Sequence, residues 1–427
     1  MKYPSAHIIA IGSELLHGGR VDSNSLFIAD VLAQCGIEVT QKMAISDRPE
    51  DIRSQLVSSA KQVEVIVSTG GLGSTLDDCT REAVAAAFGL KLRLRKKALE
   101  MVQIQLHKRD RPVTPLIARQ AVLPVGTQIL DNSVGTAPGF YLQVGKAHLF
   151  ILPGVPREAH EMAKVHIPAM LHKKQMGNGR QLWTHSFNTC GIAETDVQAH
   201  VLPLLENYPS IQIGLLASTK GVKVTLSCWR TRKPERPGFI RLSHFHEGLE
   251  LSKRIRTVLS PWLFAEGEEG IEEVVGRLLA SRSFTLAVAE SCTGGLVTHR
   301  LTEIPGSSVY LDRGIVSYSN RAKQQLLGVR PSVLRQFGAV SLQVAQAMAC
   351  GMKKRSGVDI GLSITGIAGP GGGTKTKPVG TVCMAIDGPW GRHSRRFQFW
   401  GTRTEIKFRS SQAALDLLRR YLVNQGK

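Results

Sequence analysis

At 427 residues the chain is longer than one hydrophobic core ordinarily organises, and its 42% hydrophobic content is that of a water-soluble globular protein of two or three domains. No apolar run approaches the ~20 residues of a membrane span, and the start, MKYPSAHIIAIGSELLHGG, lacks the apolar core and cleavage site of a signal peptide. The net charge of +20, with 22 Lys+Arg against 9 Asp+Glu from Ile271 onward, reads either as a solvated basic surface or as a field for anionic partners; only 6% aromatic residues and no nucleic-acid-reading motif make nucleic acid a poor fit.

The first ~170 residues read as strand–helix units. HIIAIGSELL is an apolar strand ending in a glycine turn, and SNSLFIADVLAQCG is a helix stopped by Gly36. VEVIVSTGG is a second buried strand, and DDCTREAVAAAFG is a helix with acidic residues at its start. KAHLFILPGVPREAHEMAKVHIPAML adds a further strand, turn and helix. Strands that are apolar throughout and alternate with helices predict a parallel sheet covered on both faces, a three-layer α/β/α domain over 1–172. Residues 173–262 read as a small α+β domain. MGNGRQLW is a linker, IQIGLLAS and KGVKVTLSCWR form a hairpin, and RTRKPERPG is a basic loop. Residues 266–427 return to α/β alternation: helix GIEEVVGRLLASR, strand 285–289, strand 312–318, helices 321–328 and 341–355, strands DIGLSITG, VGTVCMAID and RRFQFW, and a last helix 404–423. The seven cysteines are scattered and form no C-x-x-C pair, which argues against disulfides and zinc and for a reducing cytoplasm.

Chemistry concentrates where strand 285–289 runs into Glu290-Ser291-Cys292-Thr293-Gly294-Gly295. A nucleophile at such a strand-to-helix turn lies beside unpaired backbone N–H groups that can hold an oxyanion. The turn suits Ser291 or Cys292, and equally a serine cap with no chemistry. His299, seven residues on, is too far along the helix to serve as base. Lys323, in YSNRAK beside Tyr318, serves if burial lowers its pKa; otherwise it is a surface lysine. The glycine-rich SITGIAGPGGG can bring backbone N–H groups to an anion, or is only a flexible loop, and Arg403 is suited to phosphate.

AESCTGG, YSNRAK, TGIAGPGGG-TKTKPVGTV and GTR, in that order, closely resemble the C-terminal domain of the CinA family, the nicotinamide-nucleotide amidase module. The resemblance implies hydrolysis of the carboxamide of nicotinamide mononucleotide to nicotinate mononucleotide and ammonia, without a cofactor. It implies Ser291 as nucleophile, Lys323 as its base and Tyr318 in support. Substrate would be held by Thr293, Gly294, Thr365, Gly366, Gly369, Gly372 and Arg403. Two positions depart from the family pattern: Thr402 stands for the aspartate of Gly-Asp-Arg, and Arg321 for a glutamate.

IGSELLHG, STGGLGSTLDD, NSVGTAPGF and LPGVPREAHEM resemble the same family's first domain, similar to MogA/MoaB-type molybdopterin-binding proteins. Gly70, Gly71 and Gly73, with Thr75 and Ser13, form a candidate phosphate or nucleotide cradle. The resemblance implies a metal-dependent ADP-ribose pyrophosphatase, with Glu14, Asp77 and Asp78 holding Mg²⁺ or a similar divalent ion; the two aspartates read equally well as helix-start residues. Ser74 replaces the proline usual after the glycine loop. A homodimer acting on small nucleotides is implied. The competing reading is a competence-associated, DNA-binding protein without turnover, motivated by the basic last third.

Overall fold

The computed structural model describes residues 3–75, 77–177, 180–231 and 244–424, so most of the basic RTRKPERPG loop lies outside the described residues. The chain divides into two compact units, Met1–Trp183 with Trp229–Arg241, and Thr184–Cys228 with Leu242–Lys427.

In the first unit a six-stranded sheet runs in the order Glu38–Ile45, Ser5–Ile11, Val65–Thr69, Ala147–Leu152, Gly139–Val144, Gln128–Leu130. Side chains alternate across it. Ile9, Ile11, Ile66, Leu149 and Ile151 meet Ile52, Leu56 and Val84 on one face. Ile8, Val65, Val67, Phe150 and Leu152 meet Ile28, Leu32, Met162 and Ile167 on the other. This is the expected three-layer α/β/α arrangement, and burial on both faces is why the central strands are predominantly apolar rather than alternating. The sheet is not wholly parallel, however. The first four strands are parallel, and the last two are antiparallel. Only Gly145 and Lys146 separate Gly139–Val144 from Ala147–Leu152, and a two-residue loop can join only antiparallel neighbours. The helix expected from Asp77 begins instead at Thr80, because Asp78 closes a turn on Thr75.

The second unit contains two sheets. Strands Gln212–Ser218, Gly221–Thr231, Arg180–Thr189 and Leu263–Glu266 form the first, with helices Glu194–Leu205 and His244–Leu259; of the two long strands, residues 221–228 and 184–189 belong to this unit. The expected hairpin is present, turning at residues 219–220. The stretch read as a linker already joins the sheet at Arg180. The second sheet has the order Leu311–Val316, Leu286–Glu290, Ile360–Gly366, Thr381–Gly388, Gly391–Gln398, the first three parallel and the last two antiparallel. Leu286, Val288, Leu362 and Met384 pack on helices Ile271–Ala280 and Arg403–Val423. The opposite face presents Ala287, Ala289 and Ala385 to the helix Leu342–Ser356. Small residues are needed there: a Cβ at Gly361 would stand 2.3 Å from the Ala349 carbonyl oxygen. A short helix, Pro331–Phe337, sits beside this layer at a place the periodicity does not mark.

The register fixes what emerges at the carboxyl edge. Glu290 pairs with Val316 on one side and Ile364 on the other, so residues 291, 317–318 and 365–366 leave the sheet side by side. Ligand sites of parallel α/β sheets lie at this edge. No helix among the described residues is long and apolar enough to cross a membrane.

Candidate active site

Ser291, 7% exposed, follows the buried strand, and its own N–H donates to the Ile364 carbonyl at 3.0 Å. Glu290, fully buried, sets the shape of the turn that follows. One carboxylate oxygen accepts the N–H groups of Gly295 (2.9 Å) and Val297 (3.2 Å); the other accepts the N–H and hydroxyl of Thr298, both at 2.8 Å. A buried carboxylate is thus satisfied by the uncapped start of the helix Leu296–Thr302. Gly294 and Gly295, at φ +62° and +94°, permit the chain to fold back over it. The helix-start donors expected to face an oxyanion are therefore bound to Glu290.

Lys323 approaches from the neighbouring strand. Ser319 caps the helix Asn320–Leu327 by accepting the Ala322 N–H at 3.0 Å. Side chains lean toward a helix's amino end, so Lys323, in the first turn, is directed back over residues 317–318. Its Nζ lies 2.9 Å from Ser291 Oγ, 2.8 Å from the Ser317 carbonyl oxygen and 3.3 Å from that of Tyr318. It is 1% exposed, and no carboxylate among the described residues is within its hydrogen-bond reach; burial pulls its pKa down from 10.5 to about 8. A neutral amine has two N–H groups and one lone pair. The two carbonyls can take the N–H groups, which leaves the lone pair for Ser291.

Cys292 belongs to the hydrophobic core, and burial pushes its thiol up to about 12. Burial thus disfavours the Cys292 thiolate, the form in which a cysteine attacks. His299 is exposed, beside Glu303.

A second group joins across the mouth. Arg403 donates to the Gly369 carbonyl (2.6 Å) and to the Tyr318 hydroxyl (2.9 Å), tying the glycine loop to the lysine-bearing segment. Arg403 opens the last helix, where Thr402 and Glu405 form a capping box. Threonine caps nearly as well as aspartate, so the replacement at 402 keeps the helix start that positions Arg403. Thr365 is buried and its hydroxyl donates to the Ala339 carbonyl, so it braces the strand end. A Cβ on Gly366 would lie 3.1 Å from Cys292 Sγ and 2.7 Å from Val382. Gly372 has φ +83°, and Gly294 lies beside the Lys407 amine. The Thr293 hydroxyl is buried without a partner. Two contributors carried no signal in the sequence: Glu290, whose role depends on a helix folding back onto it, and Ser317, which acts through its carbonyl.

In the first unit, Ser13 donates to Asp47 at 2.7 Å. The glycines of the 70–73 loop are accounted for by packing: a Cβ at Gly70 would meet the Ile11 carbonyl, at Gly71 the Thr80 hydroxyl, and at Gly73 the Asp78 carboxylate. Beneath the loop, Arg81 is 1% exposed and donates to the Leu72, Gly73 and Asp78 carbonyls. This anchor also went unread in the sequence. Asp78 accepts the N–H and hydroxyl of Thr75, and the nearby Thr75 side chain keeps the Asp77 carboxyl below the usual carboxylate range. Among the described residues no group of three or more His, Cys, Asp or Glu is placed to hold a metal ion, so Glu14, Asp77 and Asp78 are not gathered as a group of three.

Residues 268–422 match the CinA C-terminal domain, and residues 7–172 match a probable molybdopterin binding domain. A CinA-like protein of Syntrophotalea carbinolica is 39% identical over 419 residues, covering 98% of each chain. A putative competence-damage inducible protein of Moorella thermoacetica is 40% identical, with 98% of each chain covered. Among solved structures, a competence/damage inducible protein of Agrobacterium tumefaciens is 42% identical over 35% of this chain and 94% of its own, at a TM-score of 0.34. The chain belongs to the CinA family, with a molybdopterin-binding-like domain first and a CinA C-terminal domain last.

Proposed function

We propose that the C-terminal domain is an amidase that hydrolyses the carboxamide of nicotinamide mononucleotide to nicotinate mononucleotide and ammonia. The observation that carries this reading is the buried Lys323 amine at 2.9 Å from the Ser291 hydroxyl, with no carboxylate paired to it among the described residues. Neutral Lys323 takes the proton as Ser291 Oγ forms a bond to the carboxamide carbon. In this reading the oxyanion falls to the N–H groups of Cys292 and Thr293, the amides of the turn not bound to another oxygen among the described residues. The C–N bond then breaks, Lys323 passes its proton to the departing nitrogen, and ammonia leaves an acyl-serine. Water, deprotonated by the same amine, attacks the ester; the acid leaves and Ser291 regains its proton. Arg403, tied to Tyr318 and Gly369 at the mouth, supplies the cation for a substrate phosphate.

Ammonia release from nicotinamide mononucleotide tests this. Ser291→Ala and Lys323→Ala proteins that keep their unfolding temperature are expected to lose at least a thousandfold in rate; turnover surviving in either removes the dyad. For the first unit we propose phosphate or nucleotide binding at the 70–73 loop. The pyrophosphatase that the resemblance implies has no three-carboxylate group behind it among the described residues, and no step is assigned to it.

A further inference from the structure

The mouth of the Ser291 site carries a second cation. Lys407 stands four residues after Arg403 on the helix Arg403–Val423, so the two share one face. Helix side chains lean toward the amino end, which carries the Lys407 amine back toward Arg403. A Cβ built on Gly294 would lie 3.6 Å from Lys407 Nζ, and the Gly294 N–H donates to the Ser291 carbonyl at 3.2 Å. The amine therefore stands against the turn that bears the nucleophile. Lys407 is half-buried, yet it has no hydrogen bond or ion pair among the described residues.

Among the described residues no carboxylate pairs with either cation. Arg403 donates to uncharged oxygens, the Gly369 carbonyl and the Tyr318 hydroxyl. Glu405, between the two in the chain, is turned back onto the Thr402 N–H and hydroxyl, and the cap at 402 is itself neutral. Glu290 is bound to the N–H groups of Gly295, Val297 and Thr298. Like charges one helical turn apart repel, so the pair costs stability until an anion lies between them. A phosphate monoester suits both cations, with three free oxygens and a charge of about −1.5 to −2 at pH 7. A phosphate that bridges two nucleosides has a single charge and fewer free oxygens.

We propose that Lys407 is a specificity-determining residue: with Arg403 it clamps a terminal phosphate monoester, so that the Ser291 site prefers a mononucleotide to the corresponding nucleoside or dinucleotide. The proposal rests on the reading that nicotinamide mononucleotide is the ligand of this site.

Ammonia release by the full-length protein tests it, read as the ratio of kcat/KM for nicotinamide mononucleotide to that for nicotinamide riboside and to that for NAD. Lys407→Gln is expected to lower the first ratio at least tenfold and the second at least threefold, mainly through KM for the mononucleotide, and Lys407→Arg to restore most of both. Arg409→Gln removes the same charge from another face of the same helix and should keep both ratios within twofold of wild type. Unchanged ratios in Lys407→Gln overturn the proposal. So does an equal fall in Arg409→Gln, which would mean that the summed field rather than a clamp selects phosphate. A loss of kcat equal for all three substrates also overturns it, because Lys407 would then act at the reacting carbonyl. Binding is read without turnover by calorimetric titration of nicotinamide mononucleotide into Ser291→Ala protein, where adding Lys407→Gln should weaken Kd at least tenfold. Wild type that releases no ammonia while this difference persists removes the amidase reading and keeps the clamp; equal Kd values remove the clamp whatever the turnover.

Discussion

With its pKa drawn down to about 8, the Lys323 amine is neutral in only about a tenth of molecules at pH 7. The proposed base is the neutral form, so kcat/KM for the amidase is expected to rise about tenfold per pH unit up to pH 8 and to level off above it. A flat profile between pH 6 and 8 would take the base role from Lys323. The same displacement acts on stability, and its sign follows from proton binding. Between pH 8 and 10.5 the unfolded chain holds the proton that the folded chain has released, so wild type gains stability as pH rises through that window. Urea unfolding of wild type and Lys323→Met, compared at pH 7 and pH 9.5, should show the balance moving toward wild type by about 2 kcal/mol at the higher pH. An unchanged difference would mean that burial does not shift this amine.

At the scale of elements, the helix Leu296–Thr302 and the strand Leu286–Glu290 are joined through one carboxylate. Glu290 accepts three backbone N–H groups and a hydroxyl, and so holds the turn bearing Ser291 between strand and helix. Glu290→Gln replaces one acceptor atom by an NH₂ that faces donors. A cost of about 2–4 kcal/mol is expected in denaturant unfolding. Ammonia release should fall at least tenfold, although residue 290 touches no substrate, because the turn loses its anchor. Unchanged stability would show that the helix start finds other acceptors. The elements themselves were largely legible: VEVIVST, LAVAE and IGLSITG are mostly apolar and almost wholly buried because each is covered on both faces, and Gly36 and Gly328 stop helices as their conformations require. Less legible was the helix read from Asp77. An aspartate that caps and one that closes a preceding turn look alike until Thr75 is seen to donate to it.

Across the whole molecule, two units with separate cores predict two transitions in scanning calorimetry, since cooperativity follows contiguous packing. Nicotinamide mononucleotide, if bound at the Ser291 site, is expected to raise the upper or lower one by several degrees and leave the other unmoved. A single transition, shifting as a whole, would contradict independent units. The sequence by itself determined the α/β class, the strands, and the pairing of a serine turn with a lysine turn, because buried strands and sharp turns require local residue types that are visible in one dimension. Only the tertiary structure buried Cys292 in the core, set the Lys323 amine against the Ser291 hydroxyl, and left Glu14, Asp77 and Asp78 ungathered as a group of three among the described residues. Those outcomes depend on burial and on which distant groups become neighbours, quantities that no short stretch of chain contains.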